Sequence, residues 1–140
     1  PDPADEIRYV CTMDAERDQF FFDPGISAGT LCRIYQATGD KEWLDLAQEY
    51  MRAAEIASDY LLGTLRSGKV AWAASNLWTL TGKQKYKDLA VKIGDMIVDT
   101  QNDDGGWDSL SFMVNDASAE MTYWLDQLYQ HLSDSDANSN

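Results

Sequence analysis

Apolar positions recur along this chain at helical spacing. Between Lys41 and Leu62, the residues Trp43, Leu46, Ala47, Tyr50, Ala54 and Ala57 share one face, the mark of an amphipathic helix. Between Lys83 and Asn102 the stripe is Tyr86, Leu89, Ala90, Ile93 and Ile97, with Lys83, Lys85, Lys87 and Lys92 on the wet side. A third stripe, Met121, Trp124, Leu125, Leu128 and Leu132, predicts a helix over Asp116 to Leu132. Pro24 to Ala37 also reads as a helix, because Asp23 is a capping acid and Pro24 suits an early helical position. Lys69 to Thr81 is different: Val70, Ala71, Trp72, Ala73, Ala74, Leu77, Trp78 and Leu80 leave it hydrophobic almost all round. A helix without a polar face is expected to be buried on every side. Gly63 to Gly68 and Gln101 to Trp107 read as the loops between these elements.

The pattern repeats. Leu31 to Ala47 returns, 43 residues on, as Ala74 to Ala90. Thr38-Gly39 maps onto Thr81-Gly82, Tyr35 onto Trp78, Trp43 onto Tyr86, and Asp45-Leu46-Ala47 onto Asp88-Leu89-Ala90. Each copy predicts a helix, a tight turn at Thr-Gly, and a second helix. The glycine can take the left-handed conformation that closes a helix C-terminus. Repeats of this length built of helix pairs signal a solenoid or a closed ring of hairpins. Alternation of one buried helix with one amphipathic helix fits the ring, which puts one layer inside the other.

At 140 residues the chain suits one domain with a real core. Residues 1–23 read as an irregular segment that packs by Phe20-Phe21-Phe22, with a strand or turn near Arg8 to Thr12, and residues 133–140 as a flexible tail. The start at Pro1 without methionine suggests a processed chain or a piece of a longer one, so self-association or a missing N-terminal half is expected. A net charge of −13 argues against nucleic acid and anionic membrane surfaces as partners. No apolar run is long enough to span a bilayer and no leader pattern is present, which predicts a cytoplasmic protein. Cys11 and Cys32 do not make a disulfide framework, and Cys32 falls in an apolar helical register. With His131 as the one histidine, a Cys/His zinc site is not expected, nor is any other metal or cofactor. His131 itself reads as a surface group near a helix end.

The signature Thr-Gly-x-x-x-[Trp/Tyr]-x-x-Leu-Ala resembles that of the α/α-toroid proteins, the broad class of terpenoid cyclases, protein prenyltransferases and six-hairpin carbohydrate enzymes. Gln101 to Trp107 is similar to the Gln-x-x-x-Gly-x-Trp half of the squalene-type cyclase repeat, although Met96 stands where the upstream half has an aromatic. Val114-Asn115-Asp116-Ala117-Ser118-Ala119-Glu120 resembles the Val-Ser-Asp-Cys-Thr-Ala-Glu stretch of oxidosqualene cyclases, with Ala117 in place of the cysteine. The resemblance implies an all-α fold of antiparallel hairpins forming part of an α/α toroid, and Asp116 as a proton donor. It also implies a small-molecule substrate, an isoprenoid or a carbohydrate. This chain supplies five expected helices, fewer than such a ring contains.

Each candidate has a plainer reading beside it. Asp116 and Glu120 are one helical turn apart, so both carboxylates share a face. Facing a cavity, their repulsion would leave one as a proton donor; otherwise Asp116 caps a helix and Glu120 favours its positive end. Asp14, Glu16, Asp18 and Asp23 either face a substrate or a divalent ion at one end of the inner helices or form a solvated acidic segment, and their spacing fits no calcium loop. Trp107, among Asp103, Asp104 and Asp108, is either a platform for a sugar ring or a plug between hairpins, with Gln101 bonding the loop backbone. Tyr35, Trp72, Trp78, Tyr123 and Trp124 either line a substrate cavity, on sugars or around a carbocation, or form ordinary core. The reading overall is an enzyme with an acidic, aromatic-lined cavity, performing acid-initiated, terpenoid cyclase-like chemistry. The alternatives are a carbohydrate-active six-hairpin enzyme (hydrolase, lyase or epimerase) and a non-catalytic helical-repeat scaffold. No Ser/His/Asp nucleophile is expected.

Overall fold

The computed structural model describes residues 23–107 and 114–137. The expected N-terminal segment, with Cys11 and the acids Asp14, Glu16 and Asp18, lies outside these residues, as do Asp108 and the last three positions of the tail. The described residues form six α-helices and one 3-10 turn, with no strand among them. They are α1 (Asp23–Thr38), α2 (Lys41–Glu55), α3 (Asp59–Leu62), the 3-10 turn Leu65–Ser67, α4 (Gly68–Thr81), α5 (Gln84–Asp99) and α6 (Val114–Ala137).

The two look-alike segments fold alike. Gly39 and Gly82 take φ of 73° and 66°, left-handed values that favour glycine. Each donates its N–H to the aromatic four residues back, Gly39 to Tyr35 O at 2.7 Å and Gly82 to Trp78 O at 2.8 Å. The preceding threonines do the same work in both copies: Thr38 Oγ1 donates to Ile34 O and Thr81 Oγ1 to Leu77 O. The same oxygens accept from Asp40 N and Lys83 N. In the first copy Asp40 also caps α2, its Oδ1 accepting from Glu42 N at 3.0 Å. Lys83 makes no such side-chain cap.

The expected helix over Lys41 to Leu62 is interrupted. It stops at Glu55, and Ser58 starts a new turn by accepting from Leu61 N at 3.3 Å. A serine followed by an acid is a local start signal that overrides the apolar run through it. The buried stripe of α2 is also rotated from the expected one. Leu44, Ala47, Met51 and Ala54 are buried, while Leu46 and Tyr50 face outward. The fifth helix ends at Asp99, not Asn102, and α6 extends from Val114 past Leu132 into the expected tail.

Contacts between helices fix their directions. Gly25 of α1 lies against the backbone of Lys69 and Val70, and Gly29 against the ring of Trp72, so α1 and α4 run parallel. Lys69 meets Glu120 and Trp72 meets Trp124, so α6 is parallel to both. On the other side, Gln48, Glu55 and Asp59 meet Lys83, Lys85 and Lys92 in the same order, which aligns α5 with α2. One layer is therefore α1, α4 and α6, and the other is α2 and α5, joined by antiparallel hairpins.

Helix α4 is the centre. Val70, Ala71, Ala73, Ala74 and Leu77 are fully buried, as the apolar pattern requires, and so are Ser75 and Asn76. Met51, Ala54, Tyr86, Ala90, Ile93 and Ile97 close the core from α2 and α5. Cys32 is buried in it, and burial pushes its thiol up to about 12, against a small opposing effect of Arg33.

Candidate functional site

The candidate residues separate into groups once the helices are placed. Trp107 is 3% exposed and its indole N–H donates to Ile97 O at 2.7 Å. Its backbone N–H donates to Ser118 Oγ at 3.1 Å, so the ring is wedged between α5 and α6. Gln101 Nε2 donates to Gly105 O at 2.8 Å, closing the loop beneath it. Trp78 is half-buried on the α4–α5 side, with Lys87 Nζ 5.4 Å from its ring. Tyr35 is half-buried against the core at the far end of α1. These three aromatics do not meet.

Trp72, Tyr123 and Trp124 do. The centroids of Trp72 and Trp124 are 5.1 Å apart at 41°, and Tyr123 meets Trp124 edge-on at 4.8 Å and 71°. Such tilted and edge contacts suit the quadrupoles of the rings. The cluster exists because α1 offers no side chain at the crossing. A Cβ built on Gly29 would stand 2.1 Å from the Trp72 ring. Tyr123 remains 48% exposed, so the cluster opens to the surface.

One turn toward the N-terminal ends, Lys69 Nζ and Glu120 Oε2 form an ion pair at 2.5 Å, with the side chains 18% and 38% exposed. Lys69 Nζ is also 6.0 Å from the Trp124 ring, at the outer limit of a cation–π contact. Asp116 stands exposed in the first turn of α6. Of the two expected carboxylates, therefore, Glu120 is the one at the aromatic cluster. One turn toward the C-terminal ends, Arg33 of α1 reaches Gln127 of α6, Nη2 to Oε1 at 3.1 Å.

The indole N–H groups of Trp72, Trp78 and Trp124 and the Oδ1 of Asn76 are buried without a hydrogen-bond partner among the described residues. Each such group costs about 1–3 kcal/mol.

His131 corrects an expectation. It is a half-buried residue of α6, not a surface group, and its Nδ1 is 2.8 Å from Oγ of the buried Ser75. Ser75 Oγ is also 2.9 Å from Trp72 O. The residues of these pairings were unmarked in the sequence because each lies on a different helix from its partner. Two signals were present: a lone cation, Lys69, opening an apolar helix, and glycines at 25 and 29, one turn apart on one face.

On the opposite layer a groove of about 300 Å³ lies between α2 and α5, lined by Gln48, Arg52, Lys83 and Tyr86 among others. Its polar groups hold the two helices together: Lys83 donates to Gln48, and Lys85 pairs with Glu55 at 2.6 Å. Among the described residues no group of three His, Cys, Asp or Glu side chains is placed to hold a metal ion. None of the described helices is long and apolar enough to cross a membrane.

Fold and site together define an all-α protein of antiparallel hairpins with an aromatic cluster open on its three-helix layer. No protein-family model, curated protein or solved structure matches the chain.

Proposed function

We propose that the two layers are an arc of an α/α toroid, with α1, α4 and α6 on the inner side, and that the inner face binds a carbohydrate. The observation that carries this is the aromatic group Trp72–Trp124–Tyr123 with the Lys69–Glu120 pair one turn away. A sugar ring presents C–H groups to an aromatic face and hydroxyls to polar groups at its edge, and this surface offers both. Glu120 is the carboxylate placed to accept a proton from a bound ring, and Lys69 positions it.

The isoprenoid expectation fits the arrangement less well. A carboxylic acid that protonates an alkene must be shielded from water within an apolar cavity, and Asp116 stands at an exposed helix start. Glu120, the alternative, is engaged by a lysine.

Tryptophan fluorescence titration with a panel of neutral and acidic trisaccharides tests the reading. The expected result is saturable quenching by at least one sugar. Tyr123→Ala should weaken that binding roughly tenfold, the loss of one stacking contact of about 1–2 kcal/mol. Glu120→Gln should bind the sugar and fail to turn it over. If no trisaccharide binds, or if Tyr123→Ala binds as well as the parent chain, the carbohydrate reading is wrong.

A further inference from the structure

Among the described residues, the three-helix layer holds a cation that its neighbours orient through neutral groups. Arg33 is exposed on α1, where Nη1 donates to Gln36 Oε1 at 3.2 Å and Nη2 to Gln127 Oε1 at 3.1 Å. Both acceptors are neutral amides. Among the described residues no carboxylate pairs with this guanidinium, in a chain where Asp and Glu outnumber Lys and Arg by 24 to 11. Lys69 on the same layer, Lys41, Lys85 and Lys92 all have a carboxylate within 2.7 Å, while Lys83 at the start of α5 meets the amide of Gln48. A guanidinium has five N–H donors in a planar fork. Two amide acceptors fix its plane and leave donors for a further planar acceptor, the bidentate geometry that carboxylates take up.

Its place in the fold gives the arrangement a direction. Arg33 is one helical turn beyond Gly29, the residue under Trp72, and Gln127 is one turn beyond Tyr123. One turn is about 5.4 Å, the scale of a single pyranose with a carboxylate at its edge. We infer that Arg33 receives the carboxylate of an acidic sugar whose ring lies on the aromatic cluster, so that the ligand of this face is a uronate-containing oligosaccharide. Gln36 and Gln127 are positioning residues for the guanidinium. This inference rests on the carbohydrate reading and narrows it to one substrate class. The strongly negative chain otherwise repels such a ligand, so a fixed cation that meets no carboxylate among the described residues is what the site needs.

The experiment compares trigalacturonate with cellotriose, by tryptophan fluorescence, on the intact chain and on Arg33→Gln, Arg33→Lys and Tyr123→Ala, each checked for unchanged far-ultraviolet circular dichroism. The expected result is tighter binding of trigalacturonate, with a loss of roughly ten- to a hundredfold in Arg33→Gln. Arg33→Lys should restore part of it, and cellotriose affinity should stay the same in both arginine variants. Equal affinity for the two sugars in the intact chain, lost together in Tyr123→Ala, would overturn the uronate inference and leave the carbohydrate reading standing. An equal effect of Arg33→Gln on both sugars would overturn it too. If neither sugar binds, both readings fall.

Discussion

Ser75 on α4 and His131 on α6 meet through a single hydrogen bond, Oγ to Nδ1 at 2.8 Å, at the back of the aromatic cluster. Ser75 Oγ is also within reach of Trp72 O, so its one proton serves either the carbonyl or the imidazole. If the hydroxyl donates to Trp72 O, the imidazole donates to the hydroxyl; the other arrangement leaves that carbonyl to Asn76 Nδ2, 2.8 Å away. Either way the pair pins α6 to α4 beside Trp72. It is a packing contact between neighbouring helices, since Ser75 is fully buried.

A double-mutant cycle on Ser75→Ala and His131→Phe should therefore give a coupling of about 1 kcal/mol in urea unfolding. Strictly additive single losses would mean that the pair contributes nothing of its own.

Two glycine substitutions separate close approach from backbone conformation. Gly29→Ala drives a methyl group into the Trp72 ring and should cost about 1–3 kcal/mol by overpacking. It should also alter near-ultraviolet circular dichroism, because the stacked indoles must move. Gly82→Ala meets no atom within 4 Å but must hold φ of 66°. Its cost of about 1–2 kcal/mol should leave the aromatic signal unchanged. The same aromatic spectrum for both variants would contradict the placement of Gly29.

Trp107→Phe removes the indole N–H and leaves Ile97 O unpaired inside the protein. The expected loss is about 1–3 kcal/mol, with faster hydrogen exchange at the start of α6, because Trp107 also ties to Ser118. Sugar binding should survive at full occupancy of the folded state. A large loss of affinity in folded Trp107→Phe would instead give that ring a direct role.

Cys32 gives a pH prediction with a definite sign. Burial raises its folded value from an ordinary 9.0 to about 12, so between these limits the unfolded chain has released a proton that the folded chain retains. Stability is thus unaffected by this group below about pH 9 and falls as pH rises through the window. Tyr86, raised chiefly by burial, acts in the same direction. Alkylation of Cys32 in a Cys11→Ser background should follow global unfolding at pH 8, without a faster phase. Rapid labelling of the native chain would show that the thiol is reachable.

The local rules of the chain were enough to set its elements. Helical spacing, the Asp23-Pro24 start and the Thr-Gly stops placed five helices and their hairpins, because each depends on residues within about one turn of one another. They also marked α4 as the central element, since a helix without a polar face has only the interior to occupy. The rotated stripe of α2 shows where that reasoning thins. Leu46 and Tyr50 share helical spacing with the core residues, yet the direction from which α1 and α4 approach selects Leu44 and Met51. Only tertiary structure could bring Lys69 to Glu120, Ser75 to His131 and Arg33 to Gln127, across separations of 51, 56 and 94 residues. Those pairings follow from the parallel register of α1, α4 and α6. That register is set by how closely helix surfaces approach, at Gly25 and Gly29 above all, and no periodicity within one helix encodes it.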